Sequence, residues 1–537
     1  MLVGGMQDVE LRVPRLLDHA AREHRAREVV TRWADGSETR TDWAGVARDA
    51  RRCAQALERL GVRPGDRVAT LAMNHVHHVV AWYGAIGMGA VIHTVNPRLF
   101  ERQIAYILNH AADRVLLYDR AFQPLIDRLR DQLPSIERYI IMDSGSETGA
   151  GGDGPDGLRA LLDREDGEYD WVEGPERDPC MLCYTSGTTG DPKGVLYTHR
   201  STMLHALTAV QPAVFNLSSR SSLLPIVPMF HVAAWGLPFA APAVGAKLVL
   251  SAVNEPAVLA ELIERERVTV SAGVPTIWLG LFQHLDATGG SLPSLELVVI
   301  GGSAAPRAMI ERLMRMGKRV NHAWGMTETS PIGAVGARSP DFDHLPFDAQ
   351  VDQVVRQGRA PFGVELRLID DAGAVLPRDG AAAGRLQCRG PWIIRRYYQE
   401  QADAIDAEGW FDTGDVAVID PDGVMRITDR SKDVIKSGGE WISSVELENA
   451  AMGCPGVAEA AAIGVPHPRW DERPLLLVVR KPDAEITVAD VMAHLSARVA
   501  KWWLPDEILF VDELPHTATG KLLKTALRDR YRDHRLT

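Results

Sequence analysis

Cysteine is scarce in this chain, and neither a long apolar run nor an excess of positive charge is present. Five cysteines in 537 residues do not provide a disulfide framework. No stretch of about eighteen apolar residues occurs, so no membrane-spanning helix is expected. The formal net charge of −12 argues against a nucleic-acid-binding surface. The first residues lack the basic and apolar regions of a signal peptide, and we therefore expect a cytoplasmic protein whose contact with membranes is at most peripheral.

Two local patterns invite a metal-binding interpretation, and neither supports it well. Cys180 and Cys183 stand three positions apart on a predicted strand, so their side chains point to opposite faces, and no second cysteine pair lies nearby. His75, His77 and His78 begin a predicted helix, and no carboxylate follows at the spacing of a metal site. We therefore expect structural roles for these residues.

The chain does contain a regular alternation of predicted strands and helices. Apolar residues recur at helical spacing in residues 43–60 and 76–88, and a further helix is predicted near 235–244. The apolar runs at 67–73 and 91–95 are typical of buried strands. This alternation predicts βαβ units and parallel sheets, the α/β class.

The length and a change of composition predict more than one domain. Shorter strands separated by turn residues begin after about residue 355, and the last part of the chain has its own strand–helix pattern. Residues 144–156, which are rich in Gly, Ser and Asp, are predicted to be a surface excursion. We predict an N-terminal domain at 1–431 and a small C-terminal domain at 432–537.

The most informative stretch is residues 184–194, which hold three glycines, four aliphatic hydroxyls and one lysine. Glycines let backbone N–H groups approach a ligand, while hydroxyls and a lysine bind phosphate oxygens. The common P-loop pattern is absent, because Lys193 is followed by Gly194. The stretch predicts a polyphosphate-binding loop with contacts from Thr185, Ser186, Gly187, Thr188, Thr189 and Lys193.

Two further motifs carry aromatic, hydroxyl and carboxylate groups. Residues 321–329 end in Thr327 and Glu328, after aromatic and glycine residues that can flank a flat base. A buried carboxylate beside a triphosphate would repel it unless a cation intervened, so Glu328 implies Mg²⁺. In residues 410–415, Asp415 follows a glycine turn, and a carboxylate there suits bidentate hydrogen bonding to two ribose hydroxyls.

These motifs resemble those of the adenylate-forming superfamily, which includes AMP-forming acyl-CoA synthetases, the adenylation domains of peptide synthetases and firefly luciferase. The resemblance extends over nearly the whole chain. It implies a large N-terminal adenylate-forming domain of stacked sheets and helices, with a small mobile C-terminal α+β domain and the active site in the cleft between them. It also implies that the substrates and cofactors are a small carboxylic acid, ATP, Mg²⁺ and coenzyme A.

The resemblance assigns roles to individual residues. Thr327 would lie at the α-phosphate, Thr185 and Glu328 at Mg²⁺, and Asp415, assisted by Arg430, at the ribose. Lys521, in the glycine-bearing motif at 515–521, would reach into the site and bridge the carboxylate and the α-phosphate, where a positioned cation stabilises developing charge. The residues assigned to the adenine pocket are Gly302, Ser303, Ala323, Trp324, Gly325 and Met326.

The resemblance further implies two half-reactions. The acid attacks the α-phosphate of ATP, pyrophosphate leaves, and the thiol of coenzyme A then displaces AMP from the acyl-adenylate. No protein nucleophile is needed, because catalysis comes from positioning and electrostatics. The small domain would rotate about Lys432 between the two steps, and Gly438, Gly439 and Trp441 would line the pantetheine channel.

The sequence limits the classes of acid that can be the acyl substrate but does not identify one acid. Residues 228–235 resemble the aromatic motif of fatty acyl-CoA synthetases. This resemblance implies that His231 lies at the acyl site and that Trp235 gates the acyl tunnel. The alternative role for Trp235 is core packing. A His in place of the usual Asp at position 231 disfavours amino acids. Residues 501–506 resemble medium-chain acyl-CoA ligases and 3-methylmercaptopropionate-CoA ligases. The substrate is therefore a medium- or long-chain fatty acid or a short thioether acid.

Three other functions stay open: a fatty acyl-AMP ligase, a luciferase-like oxygenase, and a nucleotide sensor without catalysis. No carrier domain and no insertion before the small domain are present in the sequence, which favours free coenzyme A as the acceptor. Glu328 and Lys521 argue against an inactive sensor, which would have little reason to keep both. Related fatty acyl ligases are commonly homodimers, so a homodimer is expected.

Overall fold

The structure is a computed structural model that describes residues 4–143, 157–185, 191–336, 338–437, 440–482, 484–516 and 522–536, with residues 440 and 441 described by their backbone alone. Its α-helices, numbered along the chain, are α1 (Pro14–Glu23), α2 (Trp43–Arg59), α3 (Val76–Gly87), α4 (Glu101–Ala111), α5 (Gln123–Leu129), α6 (Leu158–Leu162), α7 (His199–Ala209), α8 (Leu237–Val244), α9 (Pro256–Arg265), α10 (Pro275–Thr288), α11 (Arg307–Arg315), α12 (Phe347–Val354), α13 (Ser444–Met452), α14 (Val488–Ser496) and α15 (Lys524–Arg530).

The β-strands follow the same numbering rule. They are β1 (Glu28–Arg32), β2 (Glu38–Asp42), β3 (Arg67–Leu71), β4 (Val91–Thr94), β5 (Val115–Tyr118), β6 (Arg138–Ile141), β7 (Pro179–Tyr184), β8 (Gly194–Thr198), β9 (Ser222–Pro225), β10 (Lys247–Ser251), β11 (Val270–Gly273), β12 (Leu297–Ile300), β13 (Arg319–Gly325), β14 (Ile332–Val335), β15 (Glu365–Ile369), β16 (Gly384–Arg389), β17 (Phe411–Ile419), β18 (Met425–Arg430), β19 (Ile435–Ser437), β20 (Glu440–Ile442), β21 (Val457–His467), β22 (Asp471–Arg480) and β23 (Glu507–Phe510).

Two large sheets of mainly parallel strands form the body of the molecule. The first has the order β14-β13-β12-β11-β9-β10-β1-β2, and only its outermost pairs, at β1–β2 and β13–β14, are antiparallel. The second has the order β6-β5-β3-β4-β7-β8 and is parallel except at β7–β8. An antiparallel sheet, β15-β16-β17-β18, follows. The α/β class predicted from the strand–helix alternation is confirmed.

Helix α3 lies between the two large sheets, where it contacts β1 of the first and β4 of the second. All of its residues are buried, so its histidines must form hydrogen bonds inside the protein. The His75 side chain caps the helix and pairs through Nε2 with Asp119 at 2.8 Å. His78 Nε2 lies 2.9 Å from Thr70 Oγ1. These histidines are structural, and no group of three His, Cys, Asp or Glu side chains in the described part of the chain could hold a metal ion.

The strand that precedes the glycine-rich loop is buried on both faces. Cys180 and Cys183 of β7 are free thiols, and their sulfur atoms lie 3.5 Å from the hydroxyls of Thr202 and Thr94 respectively. Because both faces are covered, cysteines three apart can both be buried without meeting. Burial raises the pKa of the Cys180 thiol to about 12, which leaves it unreactive at neutral pH.

The residues after β18 form a fourth sheet, β20-β19-β22-β21 with β23 beside β22, and it is packed with α13, α14 and α15 around its own apolar clusters. Within the described ranges, no helix combines the length and apolar character needed to cross a membrane. Whether the domains divide at residue 431 stays a prediction.

A buried network of charged and hydroxyl groups joins β18 to α13 and α15. Asp429 Oδ2 accepts hydrogen bonds from the backbone N and the Oγ of Ser444, at 2.5 and 2.6 Å. Lys524 Nζ donates to Ser444 Oγ at 2.5 Å and pairs with Glu448 at 2.8 Å. Burial raises the pKa of Glu448 to about 7 despite this pairing, whereas the carboxylates around Lys524 outweigh its burial and raise its pKa. The network therefore connects residues on the two sides of Lys432.

Candidate active site

A cavity of about 310 Å³ lies at the carboxyl ends of parallel strands in the first sheet. Its walls come from the segments that follow β9, β11 and β12 and from the end of β13. Ligands of parallel sheets usually bind at this edge, because the loops after the strands converge there. The polar residues of the lining, which we call the polar end, are Thr185, Asp191, Lys193, Thr327, Glu328 and Arg430; the apolar residues, which we call the apolar end, are Val214, Phe215, Val227, Val232, Trp235, Val274, Val299, Ile332 and Val335.

At the polar end, Glu328 lies in a 3-10 turn directly after β13 and is 6% exposed. Its Oε1 accepts a hydrogen bond from the Tyr397 hydroxyl at 2.8 Å. Burial raises the pKa of Glu328, and the Tyr397 hydroxyl opposes that rise. The hydroxyl of Tyr197 donates to the backbone oxygen of Thr327 at 2.7 Å and holds the start of this turn. The Tyr397 hydroxyl therefore fixes one carboxylate oxygen of Glu328, a residue that lines the cavity.

Thr185 and Lys193 close the base of the glycine-rich loop. Thr185 N donates to Lys193 O at 2.9 Å, and Lys193 N donates to Thr185 Oγ1 at 3.1 Å. The Lys193 ammonium lies 4.8 Å from the centroid of the Tyr397 ring. The loop residues between them, Ser186, Gly187, Thr188 and Thr189, lie outside the described residues.

Asp415 is held from two sides beside the same cavity. Its Oδ2 accepts from Trp324 Nε1 at 2.8 Å, and its Oδ1 lies 3.1 Å from Arg430 Nε, the residue paired with it across β17 and β18. Gly414, just before it, has φ +73°, which a glycine adopts without strain. Each carboxylate oxygen carries two lone pairs, so Asp415 can still accept one ligand hydroxyl on each oxygen.

The segments assigned to adenine border the cavity through backbone and small side chains. Gly302, Ala323, Trp324, Gly325 and Met326 all line it, whereas Ser303 is exposed next to Gly302 and is not among the lining residues. A Cβ at Gly325 would lie 1.6 Å from the backbone oxygen of Pro331, so no other residue fits there.

The apolar end contains an unusual backbone. Val232, Ala233, Ala234 and Trp235 all have φ between +47° and +56°, and Gly236 follows at +73°. The helix predicted from residue 235 therefore begins only at Leu237. The left-handed turn places His231, Val232 and Trp235 on the cavity wall. The Trp235 indole packs on the turn after β12, where a Cβ at Gly301 would lie 3.1 Å from Cη2 of the ring.

The predicted residues of the last part of the chain are placed only in part. Lys432 follows Arg430 by two positions, in the turn between β18 and β19. Trp441 lies in β20 and is described by its backbone alone, while Lys521, Gly438 and Gly439 lie outside the described residues. Sequence reasoning did not single out Tyr397, Tyr197 or Phe215, because none of them belongs to a motif with a recognisable spacing.

Comparisons with known proteins agree with this architecture. The family model described as AMP-binding enzyme matches residues 17–398, and the model for the AMP-binding enzyme C-terminal domain matches residues 446–521. The chain belongs to the AMP-binding enzyme family, and the superfamily resemblance drawn from the motifs is confirmed.

Relatives of similar length are ligases that act on acids and coenzyme A. The chain is 46% identical to the 3-methylmercaptopropionyl-CoA ligase of Ruegeria lacuscaerulensis, over 99% of both chains. It is 45% identical to the medium-chain-fatty-acid–CoA ligase of Ectopseudomonas oleovorans, over 99% of this chain and 98% of the relative. It is 46% identical to the long-chain-fatty-acid–CoA ligase of Thermus thermophilus, over 98% of this chain and 97% of the relative.

A solved structure supports the same class. The anthranilate CoA ligase AuaEII in complex with anthranoyl-AMP superposes with a TM-score of 0.85, at 26% identity and 98% coverage of both chains. The family, the fold and these relatives define an AMP-forming acyl-CoA ligase, whose substrates are a small carboxylic acid, ATP and coenzyme A.

Proposed function

We propose that the enzyme converts medium- or long-chain fatty acids to their acyl-CoA thioesters. The observation that carries this proposal is that the lining of one cavity combines the polar residues with nine apolar side chains. Burying an apolar tail in such a pocket is favourable by about 0.8 kcal/mol for each methylene group.

A short thioether acid is the second candidate. The 46% identity to a 3-methylmercaptopropionyl-CoA ligase favours it as strongly as the similar identity to the two fatty acid ligases favours the first. A thioether is apolar enough for the same pocket wall, and its short tail would leave the far part of the apolar end empty.

The residues of the polar end fit the nucleotide. We assign Asp415 and Arg430 to the ribose, the segments that carry Gly302 and Ala323 to adenine, and Lys193 with the glycine-rich loop to the terminal phosphates. Thr185 and Glu328 suit Mg²⁺, which keeps several waters and takes few protein ligands beside phosphate oxygens. When bound, Mg²⁺ would neutralise charge on the phosphates.

The chemical steps need positioning rather than a protein nucleophile. In our assignment, the acid oxygen attacks the α-phosphorus beside Thr327, the bond to pyrophosphate breaks, and Lys521 stabilises the charge that develops. His231 also lines the cavity, and we assign it to orient the carboxylate. The thiol of coenzyme A then gives up its proton to solvent and attacks the carbonyl carbon, and AMP leaves with the bonding electron pair.

The proposal is tested by AMP release with a series of acids from 3-methylmercaptopropionate and butyrate to palmitate. We expect AMP release to require coenzyme A, and kcat/KM to rise by up to about fourfold for each added methylene until the apolar end is filled. Pyrophosphate release that persists without coenzyme A-dependent turnover would identify an acyl-AMP ligase instead. A maximum at 3-methylmercaptopropionate would select the second candidate.

We propose Lys432 as the hinge between the half-reactions, and a proline there tests the assignment. Lys432→Pro is expected to leave pyrophosphate exchange near the wild-type rate and to slow thioester formation by about an order of magnitude, because proline fixes φ at the pivot. Single-turnover rates of the two half-reactions measure this. Lys432→Ala, which keeps the backbone free, is the control. Equal losses in both steps would exclude a hinge role.

The finer points of location and assembly stay predictions. We propose a cytoplasmic homodimer, and peripheral membrane contact would follow from a lipid-like substrate.

A further inference from the structure

Residues 392–398 contact the two segments that carry Lys193 and Glu328, residues of the polar end of the cavity. On one side, Ile394 N donates to the backbone oxygen of Glu328 at 2.8 Å, and Ser330 Oγ donates to Trp392 O at 2.8 Å. On the other side, Tyr398 N donates to Gly194 O at 2.8 Å, at the end of the glycine-rich loop. The segment therefore sets the distance between the loop that carries Lys193 and the turn that carries Glu328.

Tyr397 is the side chain of this segment that touches both charges. Its hydroxyl donates to Glu328 Oε1 at 2.8 Å, and the Lys193 ammonium lies 4.8 Å from its ring centroid. A cation above an aromatic face is attracted to the ring, and a carboxylate accepts from a phenol, so the two contacts use different parts of one residue. Tyr397 is partly buried, which limits competition from water at both contacts.

An empty polyphosphate site contains cationic and anionic side chains that can pair with each other. Lys193 and Glu328 have opposite charges and line one cavity, and opposite charges attract more strongly where water is excluded. If they paired, the ammonium would no longer be available to bind phosphate, and the carboxylate would no longer be available to bind a metal ion. In the structure these two described residues do not form an ion pair; the Tyr397 hydroxyl contacts Glu328 and the Tyr397 ring contacts Lys193.

We infer that Tyr397 is a positioning residue that keeps Glu328 and Lys193 separate and correctly aimed. Its hydroxyl fixes one carboxylate oxygen of Glu328, so that the other is free for the metal ion, and its ring holds the Lys193 ammonium towards the phosphates. This inference rests on the proposed roles of Glu328 and Lys193.

Two substitutions separate the hydroxyl from the ring. Tyr397→Phe keeps the ring beneath Lys193 and removes the donor to Glu328. Loss of a group that orients a metal ligand typically lowers metal affinity roughly 10- to 100-fold. We expect the Mg²⁺ concentration for half-maximal pyrophosphate exchange to rise by that factor, with calorimetric ATP binding in the absence of Mg²⁺ unchanged. Tyr397→Leu should in addition weaken the metal-free binding of ATP.

Tyr398→Phe is the matched control, because Tyr398 holds the loop through its backbone N–H and its hydroxyl does not contact Glu328. It should bind Mg²⁺ and ATP as the wild type does. An unchanged Mg²⁺ dependence in Tyr397→Phe would overturn the inference, as would a loss of activity that saturating Mg²⁺ does not restore. If ATP binding to the wild-type enzyme did not depend on Mg²⁺, the metal role of Glu328 on which the inference rests would be refuted.

Discussion

Replacement of Asp415 by alanine is expected to lower kcat/KM for ATP about a thousandfold. The substitution removes both acceptors for the ribose hydroxyls, and hydrogen bonds to a charged group are worth about 1.5–3 kcal/mol each. It also leaves the buried N–H of Trp324 without its acceptor and Arg430 without its ion pair. Because Trp324 and Arg430 line the cavity and Asp415 contacts both of them, the loss should appear in the binding of AMP as well as in the rate of pyrophosphate exchange.

Asp412→Ala is the control on the same strand. Asp412 is exposed, and its carboxylate accepts only from the turn residue Gly414 and lies 3.5 Å from Arg385. It should therefore change kcat/KM by less than about threefold, since exposed contacts contribute little. Calorimetric AMP binding that is unaltered in Asp415→Ala would contradict the ribose assignment, and a thermal midpoint measured in parallel would separate loss of the fold from loss of the site.

Replacement of Lys524 by methionine is expected to destabilise the C-terminal sheet and helices by about 3–5 kcal/mol. Removing one partner of a buried ion pair leaves the other charge without compensation, and Lys524 and Glu448 are each 8% exposed. Native-state hydrogen exchange would report the change as a roughly 10²- to 10⁴-fold loss of protection for the amides of α13. The double variant Lys524→Met with Glu448→Gln should recover part of this protection, because the glutamine amide carries no charge that would be left unpaired.

Arg528→Met offers a control one helical turn away. Arg528 also pairs with a carboxylate, Asp433, but its side chain is 30% exposed and that of Asp433 is 20% exposed. The expected loss is about 1 kcal/mol or less, in keeping with pairs that water screens. Equal losses of protection in Lys524→Met and Arg528→Met would show that burial is not what makes the Lys524 network important.

Local patterns predicted most of the framework because their physical causes are local. Helix α2 begins at Trp43, as the apolar spacing indicated, and its cap is Asp42, whose side chain accepts from Gly45 N. The apolar run at 91–95 is β4, buried throughout. The motifs were also informative, because glycine, hydroxyl and carboxylate groups at fixed spacing have few structural reasons to occur together.

Long-range contacts explain what the sequence could not provide. Tyr397 meets Glu328 from 69 positions away, and no periodicity in a single sequence links the two. The backbone of residues 232–236 does not follow local propensity. Alanine and tryptophan favour a right-handed helix, whereas the observed left-handed backbone is set by the residues that surround it. Sheet order is equally non-local: β1 pairs with β10 although more than two hundred residues separate them along the chain.

The turn that carries Trp235 has a consequence for how acids are accepted. Left-handed backbone costs an L-residue roughly 1–2 kcal/mol, so four such residues together store an amount comparable with the net stability of many whole proteins. Neighbours hold the turn in place; His205, for example, lies so close to Gly236 that a Cβ there would be 2.6 Å from its ring. The strain lies in the backbone torsions, so rotation of the indole alone would not release it, and this part of the cavity wall should keep its shape when a ligand enters.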